Sequence, residues 1–167
     1  PRAVVQPAGR AARWSQEVDR CAPAERFLAL ELGMATVVEP DTLDDWRTGR
    51  ALPACRVTAA GTTARELADA AAELFRRLRE AGWRRTPNPA DAPGESSLRF
   101  RLGETDCLFN VYSGVLLGSP AELEVSGAAV PEAGERRLNV LALCTAALDP
   151  DAEEGDPARL PPPSIGG

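Results

Sequence analysis

A chain of 167 residues with a net charge of −6, nineteen arginines and neither lysine nor histidine has the size of one domain and lacks the side chains of most familiar catalytic centres. Without histidine there is no Ser-His or Cys-His pair and no imidazole ligand for a metal; without lysine there is no Schiff base and no P-loop phosphate lysine. The acidic balance argues against a nucleic-acid binder, the ordinary apolar content argues against disorder of the whole chain, and no apolar run reaches membrane-spanning length.

In chain order, residues 1–13 carry Ala, Gly, Pro and Arg without periodicity and are expected to be a flexible segment, followed by a single domain over 14–148. Pro23 to Leu32 reads as a short helix stopped by Gly33, and Asp41 to Arg47 as one or two more turns with Leu43 and Trp46 facing in. Asp41, Asp44 and Asp45 then sit at a helix start, where carboxylates offset free backbone N–H groups and the helix dipole. Cys55 to Ala59 alternates as a strand.

The strongest element is a helix over Ala64–Ala81. Thr63 and Glu66 have capping-box spacing. Leu67, Ala71, Leu74, Leu78 and Ala81 form one apolar stripe, and Gly82 supplies the left-handed stop. Trp83 to Thr86 can start an edge strand before the Pro-rich loop Pro87–Ser97. Leu98-Arg99-Phe100-Arg101-Leu102 alternates strictly, apolar inward and Arg outward. Gly103-Glu104 turns the chain into the strand Cys107–Tyr112. Glu122 to Val130 fits a helix or a hairpin arm, and Leu123-Glu124-Val125 before the turn at Pro131 favours the hairpin. Leu138 to Cys144 is apolar on both faces and so is expected in the centre of the sheet. Residues 149–167, acidic and Pro-rich with little to bury, read as a disordered tail. The order predicts an α+β fold, with one main amphipathic helix packed on an antiparallel sheet of about four to six strands and short N-terminal helices.

Cys21, Cys55, Cys107 and Cys144 are each more than thirty residues apart. Thiol-redox and metal sites draw on close pairs such as C-x-x-C, so isolated cysteines in even number predict two structural disulfides and a place outside the cytoplasm. Cys107 opens one strand and Cys144 closes the last, and each shares a face with the apolar residues two and four positions away. That parity predicts Cys107–Cys144, leaving Cys21–Cys55.

The runs G-W-R-R-T-P, E-S-S-L-R-F-R, T-D-C-L-F-N-V-Y and L-N-V-L-A-L-C resemble small actinobacterial secreted or lipoprotein-type domains of no assigned function, over about Cys55 to Cys144. The resemblance implies a helix-on-sheet domain in the envelope or outside the cell and brings no catalytic residues with it. The chain has no lipobox cysteine, so any export signal or anchor would have to lie upstream of Pro1.

Two constellations remain. Asp149-Pro150-Asp151-Ala152-Glu153 alternates like a calcium loop, but Glu154 stands where such a loop needs glycine, so no metal is expected. Arg84, Arg85, Arg99 and Arg101 lie close in sequence and would form an exposed basic patch for an anionic envelope polymer or an envelope protein. The composition thus points to a non-enzymatic extracytoplasmic binding or interaction domain with no cofactor. The alternative is a carboxylate-dependent glycan hydrolase of the envelope, whose signature would be two carboxylates facing each other across a cleft.

Overall fold

The computed structural model describes residues 18–45, 49–86 and 96–147. The expected terminal segments 1–13 and 149–167, the calcium-like run within the latter, and Trp46 lie outside them. The fold is α+β. Six antiparallel strands, β1 (Ala35–Asp45), β2 (Arg50–Thr63), β3 (Arg84–Arg85), β4 (Ser97–Leu102), β5 (Thr105–Tyr112) and β6 (Arg136–Ala146), stand in the order β1-β2-β6-β5-β4-β3. A hairpin, β1–β2, is joined through a helix to the meander β3–β6, whose last strand returns to pair with β2. β6 is therefore central, as its two apolar faces predict.

Among the described residues, helical elements dress this sheet. α1 (Ala22–Arg26) begins with proline in its first turn and runs directly into a π-turn, Phe27–Glu31. Gly33 follows with φ 65°, the left-handed conformation that glycine adopts without strain. α2 (Leu67–Glu80) buries Ala70, Ala71, Leu74, Phe75 and Leu78 and ends before Gly82, φ 95°. α3 (Pro120–Ala128) starts at Ser119, whose hydroxyl accepts from the Glu122 amide at 3.2 Å.

The two faces of the sheet differ. On the first, α1 and α2 cover Val57, Ala59, Val140 and Ala142, and an aromatic chain crosses from Phe75 to Phe100 to Phe109 to Trp83 with ring centroids 5.7, 6.1 and 5.5 Å apart. Phe100 and Phe109 are fully buried, so truncating either to alanine should cost about 3–5 kcal/mol. On the second face, α3 sets Val125 and Ala129 on Ala60, with Ala35 and Val37 alongside.

Four expectations are corrected. Asp41, Asp44 and Asp45 belong to β1, not to a helix start. Pairing with β2 outweighs the local helix signal there, and β1 lies at a sheet edge, which accommodates Pro40 because the missing N–H has no partner to serve. The segment after Ser119 is helix, not a hairpin arm. The box between Thr63 and Glu66 does not form. Glu66 is itself the N-cap of α2, with its carboxylate on Arg136 at 2.9 and 3.0 Å, while the Thr63 hydroxyl accepts from the Arg65 amide. Lastly, Arg99 and Arg101 point to the second face as alternation requires, but they are only 6% and 5% exposed.

Candidate functional site

All four cysteines meet at one end of the first face. Cys55, Cys144 and Cys107 form a row across β2, β6 and β5, each opposite the next. Disulfides join Cys107 to Cys144 and Cys21, from the turn entering α1, to Cys55, with Cα atoms 4.1 and 6.0 Å apart. The sulfurs of Cys21, Cys55 and Cys144 lie within 4.8 Å of one another, but as disulfides they present no thiolate to a metal. This cluster is a structural staple, buried throughout.

The four arginines expected to form an exposed patch are dispersed. Arg84 lies opposite Arg101 and is exposed, whereas Arg85 lies opposite Phe100 on the first face, because neighbouring strand residues alternate. Arg101 is buried against Asp106, directly across β4 and β5, and donates to both carboxylate oxygens at 2.6 and 2.9 Å. That bidentate pair cancels its charge. Arg84 alone of the four stays exposed; Arg99 is buried, and among the described residues no hydrogen bond or ion pair reaches its guanidinium.

Register fixes what surrounds Arg99. One row of the second face runs Glu39, Arg56, Leu143, Leu108, Arg99 across β1, β2, β6, β5 and β4. The next row runs Val37, Thr58, Leu141, Asn110, Ser97. Leu108, Leu141 and Leu143 therefore adjoin one another. They are half-buried, and among the described residues they belong to neither hydrophobic cluster. The floor they make is apolar, uncovered by α1, α2 or α3, and bordered by polar groups.

Those borders are of two kinds. Some are satisfied. Arg56 donates to Glu39 at 2.9 Å and to Asp41 at 3.0 Å, and the Glu39 hydrogen bond leads in holding its guanidinium above the ordinary value. The Ser97 hydroxyl bonds Asn110 at 2.6 Å. Glu122, fully buried, accepts from the Leu116 and Leu117 amides and so ties the 116–117 loop to α3. Others are not: the hydroxyls of Thr58 and Tyr112 and the Nε of Arg99 are buried without a hydrogen-bond partner. Burial pushes the Tyr112 phenol up to about 12, with the Glu122 carboxylate adding to the shift and Arg56 opposing it. Tyr112 stands opposite Asn139, one row beyond Leu141 and Asn110.

Sequence reasoning missed Thr58, Tyr112, Leu108, Leu141 and Leu143 as a group. The only local signal was that β6 is apolar on both faces, which announces a second apolar surface without saying what meets it. No protein family, curated protein or solved structure matches the chain.

Proposed function

We propose that this is a non-enzymatic binding domain that works outside the cytoplasm, secreted or in the envelope, and that takes its ligand on the second face of the sheet. The observation that carries the reading is the floor of Leu108, Leu141 and Leu143 beside buried, unpartnered polar groups of Arg99, Thr58 and Tyr112. Apolar floors with a few convergent polar groups are the usual make-up of small-molecule sites, and an unpaired buried polar group costs free energy until something bonds it. Two buried disulfides support the location, since such bonds persist in oxidising compartments. Among the described residues no helix is long and apolar enough to cross a membrane.

The same geometry weighs against the other two readings. A broad anionic polymer needs an open cationic patch, and Arg101 and Arg56 are already neutralised. A glycan hydrolase needs a proton-bearing carboxyl facing a second one. The groove along α2 brings Asp69 and Glu73 together with Arg65 and Arg76, but both acids come from one helix. The hydrogen bond from Arg76 holds the Glu73 carboxyl below its ordinary value, the reverse of what a general acid requires.

The reading is tested with 1-anilinonaphthalene-8-sulfonate, an anionic apolar fluorophore, titrated into the folded protein. One saturable site, lost in the Leu141→Asp variant, is the expected result. Unsaturable enhancement, or enhancement that Leu141→Asp leaves intact, would remove the binding face.

A further inference from the structure

Among the described residues, Arg99 is a buried cation of the second face without a carboxylate: Arg56 has Glu39 and Asp41, Arg101 has Asp106, and half-buried Arg137 donates to the Ser126 and Ala129 carbonyls. An isolated buried charge is costly, and the cost is relieved by an anion with matching hydrogen-bond geometry. The guanidinium fork matches the two oxygens of a carboxylate. Directly opposite Arg99 stands Leu108, opposite Leu108 stands Leu143, and Leu141 lies two residues along the same strand. Strands are spaced about 4.8 Å apart, so an aliphatic chain starting at Arg99 meets three leucines in succession as it crosses β5 and β6.

The neighbouring pairs set the valence. Arg56 is already matched by Glu39 and Asp41, and Arg101 by Asp106, while Arg84, opposite Arg101, is exposed to solvent. Beside the leucines this leaves one buried guanidinium, a match for a single carboxylate. Resting on the binding face argued above, we propose that the ligand is an aliphatic monocarboxylate, its carboxylate bonded to Arg99 and its chain lying along Leu108, Leu143 and Leu141.

Decanoate is the probe, followed in the whole chain by calorimetry and by the Arg99 Nε–H resonance. Decanoate should bind one to one and shift that resonance. Decanol, acetate and decyl phosphate, which lack the charge, lack the chain and carry a second charge, should each bind at least tenfold more weakly. Arg99→Met should weaken decanoate at least tenfold, and Arg99→Lys, which keeps the charge without the fork, by less. Should Arg99→Met fail to fold, the resonance of the native protein decides. Decanoate no tighter than decanol, or an Arg99 signal unmoved at saturation, overturns the proposal. Tighter binding of decyl phosphate through Arg99 overturns the monocarboxylate but leaves the face standing. If the fluorophore also fails to bind, the face itself is wrong.

Discussion

Cys55 and Cys144 stand directly opposite each other across β2 and β6, yet each is bonded to a different partner, Cys21 and Cys107. Cys144 is thus flanked on both sides, and its sulfur lies within 4.8 Å of those of Cys21 and Cys55. Disulfide exchange proceeds by attack of a thiolate on a nearby sulfur, so proximity of this kind makes a second pairing accessible. In the Cys107→Ser variant, Cys144 is left as a thiol beside the Cys21–Cys55 bond. Refolded under mildly alkaline oxidising conditions, that variant should give peptide maps containing both Cys21–Cys55 and Cys55–Cys144. Maps showing Cys21–Cys55 alone would mean that the cluster does not exchange.

The Arg101–Asp106 pair gives a second expectation. Both groups are almost fully buried and joined by two hydrogen bonds. Removing one partner of a buried pair strips the other charge of its main counter-ion, at a cost of about 3–5 kcal/mol, whereas replacing both by apolar residues of similar volume is often neutral. Arg101→Met should therefore lower stability in denaturant titrations by about that amount. Adding Asp106→Leu to it should restore most of the loss. Additive losses in the double variant would show that the two residues act independently.

How much of this was legible in the sequence depends on where each element finds its partners. α2 was readable because its apolar residues repeat at helical spacing and face one continuous core. Central β6 was readable because both of its faces carry apolar residues. The disulfide pairing followed from strand parity, which local sequence carries. β1 was missed because an edge strand needs no continuous apolar run, and Glu39, Pro40 and Asp41 hide it as loop or helix start. α3 was missed because Glu122 and Ser126 lie on its buried side, where they bond the 116–117 amides and Asn139, so no clean stripe appears. Arg99 and Arg101 were placed on the correct face but given the wrong environment. Alternation reveals which side a residue faces, and cannot reveal that an aspartate beyond the next hairpin turn will stand opposite it. The leucine floor is a relation between β5 and β6, legible only once their register is known.

Tyr112 supplies the last prediction, and as the single tyrosine of the chain it reports without interference. Burial raises its phenol from 10.0 to about 12, assisted by Glu122 and opposed by Arg56. In the folded protein the phenolate absorbance should therefore rise near pH 12, and in denaturant near pH 10. The sign for stability follows from proton binding. Between these values the unfolded chain has lost the proton and the folded chain keeps it, so stability falls as pH rises. The contribution is fully present below about pH 10 and is lost through about pH 12. Tyr112→Phe should flatten this part of the stability profile while leaving the fold intact. Glu122→Gln, by removing the neighbouring negative charge, should move the absorbance transition downward. A wild-type phenol that titrates near pH 10 in the folded state would mean that Tyr112 is open to solvent and that the polar border drawn here beside α3 is absent.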